Sequence, residues 1–191
     1  MEKVLTRSNP EESGLDSQLT QNENSLSQRV LRSIKAILSK PGDIYKLFFL
    51  FTKKLNRLYS ISQSSLIVHS KQDGKLKVIA MKGENGARKG LALTLPEKDS
   101  LLYKVFADGR FYIQNHPKNF SGNFIEEKIL KNDTAQSFAI LPISQNGTRN
   151  GLICLSSPKQ DAFATFENGP MNEILEDFSL NLIKRMPPTN I

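Results

Sequence analysis

The sequence has one cysteine, two histidines and no apolar run near the ~20 residues that a membrane span needs. Each scarcity excludes something. A single cysteine, Cys154, rules out an intramolecular disulfide framework. It sits inside an apolar run, where a thiol behaves as a small hydrophobe. No apolar stretch follows the initial Met1, so no secretory signal is read, and the expected location is cytoplasmic. His69 and His116 lie far apart with no close cysteine or second histidine, so metal or haem ligation is not expected and no cofactor is assigned. At 191 residues the chain fits one ordinary domain plus a tail.

What is present is unevenly placed. The formal charge is +7. Residues 1–24 set Lys3 and Arg7 against Glu2, Glu11, Glu12, Asp16 and Glu23, a net of −3. Residues 25–60 carry eight cations against Asp43, a net of +7. The basic balance therefore belongs to one region. The acidic stretch is rich in Ser, Asn and Gln with no apolar period, and cannot bury enough surface to offset its ordering entropy. A disordered tail over 1–24 is expected.

The chain is organised around residues 137–157. Two apolar runs, Phe138–Ile143 and Leu152–Leu155, flank a polar linker, Gln145–Gly151, that contains Asn146-Gly147 and Asn150-Gly151. Such pairs accept the positive φ of a reversal. The spacing predicts a hairpin with a slightly long loop. Both arms are apolar at successive positions, so both should be covered on two faces, as central strands are.

Around this core the pattern alternates helix and strand. Val30, Leu31, Ile34, Ile37 and Leu38 predict an amphipathic helix over 25–40, broken at Lys40-Pro41-Gly42. Asp43 reads as the N-cap of a second helix to about Tyr59. A hairpin of 65–70 and 75–81 follows, then a glycine-bearing loop, 83–90, and a short extended piece, 91–95. Asp99 reads as the N-cap of a helix over 100–107, closed by Gly109. A strand over 110–114 and a polar segment, 115–134, with a short helix at 124–130, precede the central hairpin. A last helix runs over 171–185 and stops before Pro187-Pro188. Hairpin pairing makes the sheet antiparallel, and the class is α+β.

This order resembles the GAF domain, a small sensory and regulatory module. The likeness covers Asp43 to Arg185 and is carried by six pieces in sequence. Its most specific parts are Phe138-Ala139-Ile140-Leu141-Pro142-Ile143, then Gly151-Leu152-Ile153-Cys154-Leu155, then an aromatic, Phe163 or Phe166, before the last helix. The resemblance implies a GAF-like (PAS-related) domain over 43–186, with a tail at 187–191. It implies a six-stranded antiparallel sheet, terminal helices on one face and a helix-and-loop roof over a pocket on the other. It also suggests dimerisation through the terminal helices.

The sites follow from that expectation. Pocket candidates are Phe106, Phe111, Ile113, Phe120, Phe124, Phe138 and Ile140, with simple core packing as the plainer reading. Cyclic-nucleotide binding in this family goes with Asn-Lys, then Phe, three residues and Asp-Glu. Here Ser157-Pro158-Lys159 and Phe163 with Glu167-Asn168 stand in those places, so the motif is incomplete. Methionine-sulfoxide reduction by small members uses several cysteines, and a bilin needs a loop cysteine; one strand cysteine offers neither. Phe49, Leu50, Lys53, Lys54 and Arg57 are candidates for a dimer or surface contact. Nucleic acid is not expected, and a membrane surface is less favoured than a protein contact. The expected function is a non-enzymatic regulatory module, a dimer binding a small molecule or a partner protein and signalling in trans. The alternatives are a scaffold with a closed pocket acting through its basic helices, and a small redox enzyme.

Overall fold

The structure is a computed structural model that describes residues 28–30, 32–115, 120–131, 133–166 and 171–185. The tails 1–24 and 187–191, His116 and Glu167-Asn168 lie outside the described residues.

The central prediction holds. Strand β5 (Ser137–Gln145) and strand β6 (Thr148–Ser157) pair antiparallel, and both are buried over most of their length. Phe138 and Ile140 enter one core, while Ala139, Leu141 and Ile143 enter another. The turn is tighter than expected. Asn146 and Gly147 alone make it, with φ of 49° and 76°, and Thr148 to Asn150 already belong to β6. Two successive positive φ values match the twist of the flanking strands, so the ladder closes directly on the turn, with Gln145 opposite Thr148.

Six strands form one sheet in the order β3-β2-β1-β6-β5-β4, every neighbour antiparallel. Strands β1 (Gln63–His69) and β2 (Leu76–Gly83) make the first hairpin. Strand β3 spans Gly86–Thr94, where the sequence predicts a loop to 90 and a short extended piece. Its residues are exposed but for a half-buried Leu91, so it carries no apolar alternation for the sequence to display. Strand β4 is Tyr112–Asn115.

The first helical layer holds α1 (28–38, residue 31 not described), α2 (Ile44–Tyr59) and α5 (Met171–Arg185). Ile34, Leu38, Phe48, Phe51, Leu55, Phe163, Phe166 and Phe178 fill the space between this layer and the sheet. Asp43 caps α2 as predicted, its side chain accepting from Tyr45 N at 2.7 Å. Tyr59 meets Phe166 edge-on, with centroids 4.5 Å apart, and joins the end of α2 to the segment leading into α5.

The roof on the opposite face is α3 (Leu101–Asp108) and α4 (Phe124–Leu130). Ser100, not Asp99, is the N-cap of α3, accepting from Tyr103 N at 2.9 Å, while Asp99 takes a left-handed φ of 54° just before it. Gly109 closes α3 in the left-handed region, as the sequence predicts. Ile67, Leu76, Val78, Leu102, Leu130, Phe138, Ile140, Leu152 and Cys154 fill the roof-side core.

Candidate functional site

The expected pocket residues do not share one space. Phe138 and Ile140 lie in the roof-side core, with Phe106 and Phe120 packed against it. Phe120 meets Phe138 edge-on at 6.0 Å. Phe111 and Ile113 instead pack against the core under the terminal helices. The one-residue alternation of β4 sends Tyr112, their neighbour, to the roof. Phe124 is 71% exposed and lies outside the roof-side core. The sequence placed these three under the roof because it fixed their strand or helix but not the face each would show.

The roof is tied down by polar contacts that the sequence does not announce. Glu126 is fully buried. Its carboxylate accepts from the Ser100 hydroxyl, from Leu101 N at 2.8 Å, from Leu102 N at 3.2 Å and from Asn123 N at 3.3 Å. One side chain thus closes the capping box of α4 and satisfies the N–H groups of Leu101 and Leu102 at the start of α3. Tyr103 OH accepts from Leu76 N at 2.8 Å, and the Ser156 hydroxyl donates to Leu130 O at 2.6 Å. The Gln63 amide donates to the carbonyls of Lys128 and Ile129, in the last turn of α4.

Beside Gln63 the molecule opens. A cleft of about 330 Å³ lies between the β2–β3 turn and the C-terminal end of α4. Gln63 and Met81 contribute to its lining, with Lys82, Arg88, Lys128 and Lys131 as cations and Glu84 and Asp133 as anions. Among the described residues, Lys131 pairs with Glu127 at 3.2 Å, and no ion pair involves Lys82, Arg88 or Lys128. Lys128 Nζ lies 5.5 Å from the centroid of the exposed Phe124 ring. Two smaller clefts continue it. One of about 170 Å³ shares Lys82, Gly83 and Glu84 and reaches Thr52 and Asn56 on α2. Another of about 300 Å³ shares Lys128, Lys131 and Asp133 and ends at Ala135. The three form a groove around one end of the sheet. Sequence reading missed it because its cations lie on β2, β3 and α4, which only the sheet order brings together.

Cys154 and His69 both sit in packed surroundings. Cys154 is buried, and burial with the Glu126 charge nearby pushes its thiol far above the usual range. A thiol held protonated is neither a nucleophile nor a metal ligand. His69 stacks beside Phe106 at 4.8 Å, and its Nε2 lies 3.2 Å from Gly74 O. Among the described residues no group of three His, Cys, Asp or Glu is placed to hold a metal ion, and no helix is long and apolar enough to cross a membrane. On α2, Leu50, Lys53 and Arg57 are exposed, while Phe49 and Lys54 are half-buried.

No family model and no curated protein matches the sequence. Solved structures do match the fold. The GAF domain of a phosphoenolpyruvate-protein phosphotransferase from Coxiella burnetii aligns with a TM-score of 0.67 at 15% identity, over 85% of this chain and 95% of that one. The corresponding GAF domain from Acinetobacter gives 0.66 at 12%, over 83% and 93%. A free methionine-R-sulfoxide reductase from Neisseria meningitidis, solved with its substrate, gives 0.61 at 13%, over 83% and 91%. The fold is that of a GAF domain, as the residues of β5 and β6 led one to expect.

Proposed function

We propose that the chain is a non-enzymatic regulatory module of the GAF type that receives a small molecule or a partner protein in the groove at the sheet end. As a dimer, it passes the bound state on in trans through α1, α2 and α5. The observation that carries this reading is the position of Gln63. Its side chain lines the open cleft and also bonds two carbonyls of α4, so an occupant would meet the link between sheet and roof. The buried, protonated Cys154 supports a binding role over thiol chemistry. The test is thermal shift across a panel of metabolites and nucleotides, on the natural chain and on Arg88→Ala. A ligand that raises the midpoint of the first and not of the second is expected. A panel without any shift counts against the sensing role.

A second reading is a scaffold acting through its basic helices. The filled roof-side core and the exposed Leu50, Lys53 and Arg57 favour it. Salt-sensitive binding to a partner or an anionic surface, lost on reversing Lys53, Lys54 and Arg57, is its expected signature.

A further inference from the structure

Beneath α4 the sheet carries a polar row. Residues two apart on a strand show the same face, and directly opposed residues on neighbouring strands share it. Ser65 on β1 is opposed by Met81 on β2 and Cys154 on β6, and Gln63 is opposed by Ser156. All five therefore lie on one face, and it is the roof side, because Cys154 belongs to the roof-side core and Met81 packs against it. The outer part of this row is open: Gln63 and Met81 line the cleft. Ser65 lies about 7 Å further along β1 than Gln63. It is fully buried, and its hydroxyl has no hydrogen-bond partner among the described residues. Gln63 and Ser156 do have partners, the carbonyls of Lys128, Ile129 and Leu130 at the C-terminal end of α4.

We infer that Gln63 is a gate, and that the Ser65 hydroxyl behind it is the inner end of the cleft, reached by a ligand when Gln63 turns away from α4. The inference deepens the reading of the cleft as a binding site and rests on it. Three observations agree. A buried hydroxyl without a partner costs free energy, and a guest that bonds it removes that cost. Gln63 is free to move: it holds α4 through one side-chain amide, and the carbonyls it bonds end a helix beside the open cleft, where water replaces it. Met81, opposite Ser65, is half-buried and unbranched, so it repacks around a guest. The surroundings also set the chemical class of that guest. Among the described residues Glu126 is the one charged side chain that is buried, and its carboxylate lies near Cys154, which faces Ser65. No buried cation offsets it, so the inner end of the ligand is not an anion. It is an uncharged hydroxyl, carbonyl or amide, while its outer end meets both signs of charge at the mouth.

Thiol labelling of the full chain carrying Ser65→Cys, a near-isosteric change, in a Cys154→Ala background tests it. The probes are three methanethiosulfonates: the neutral methyl, the anionic sulfonatoethyl and the cationic trimethylammonioethyl reagents. Each rate is divided by the rate on the urea-unfolded chain. The introduced thiol should react with the neutral reagent about tenfold faster than global unfolding allows, and about tenfold faster again once Gln63→Ala is added. The anionic reagent should lag the neutral one by about tenfold. Ser179→Cys, buried on the opposite side of the sheet, should label only at the global rate in both backgrounds. Ser65→Ala should leave the folding equilibrium constant within about threefold of the natural value, because the hydroxyl it removes has no partner. Labelling at the global rate with and without Gln63, an equal rise at both introduced thiols, equal rates for the neutral and anionic reagents, or a loss of about tenfold or more in the Ser65→Ala equilibrium would each overturn the inference. The readout needs no ligand. A thermal-shift panel without a response strikes the sensing role and leaves the gate, whereas labelling at the global rate strikes the gate and leaves the outer cleft as the binding surface.

Discussion

Gly151 faces Val68 across the β1–β6 ladder, in a stretch where the backbones come very close. A Cβ built on it would lie 2.1 Å from the carbonyl oxygen of Ile67. The obstacle is backbone, not the end of a flexible side chain, so the two central strands would have to part. Gly151→Ala should therefore destabilise the fold by about 3 kcal/mol, measured by urea denaturation. A loss under about 1 kcal/mol would mean that the strands spread without cost. The glycine was legible in the sequence as part of a turn signal. Its real reason is the approach of a strand some 80 residues earlier, which no local pattern contains.

Among the elements, the roof depends most on one polar residue. Helices α3 and α4 have 8 and 7 residues, too short to hold their shape alone. Glu126 joins them by accepting from both N-termini. Removing its carboxylate leaves buried N–H groups unpaired. Glu126→Ala should cost about 3 kcal/mol and should speed amide exchange at Leu101 and Leu102. Glu126→Gln, which keeps one acceptor oxygen, should fall between. Equal exchange at those amides in all three chains would remove the latch from the account. The sequence reading gave the short helix at 124–130 but did not single out Glu126. Its burial is decided by Ser100, which brings the start of α3 against it.

At the scale of the whole molecule, stability should fall outward from the central strands. Strands β1, β6 and β5 are covered by helices on both faces, whereas β3 is exposed along nearly its full length at a sheet edge. Native-state hydrogen exchange should find β6 and β5 amides opening only with global unfolding, and those of β3 opening locally at much lower free energy. Uniform protection across the sheet would contradict this ordering. The sequence by itself determined the two-sided burial of β5 and β6, the extent of α2, the glycine that closes α3, and the α+β class. Those follow from apolar periods and caps, which act over a few residues. Tertiary structure alone decided that Phe111 and Ile113 face the terminal helices, that Phe124 is exposed, and that Lys82, Arg88 and Lys128 meet around one groove. Each depends on the strand order and on which face a register presents, and those are settled by long-range pairing that leaves no mark in neighbouring residues.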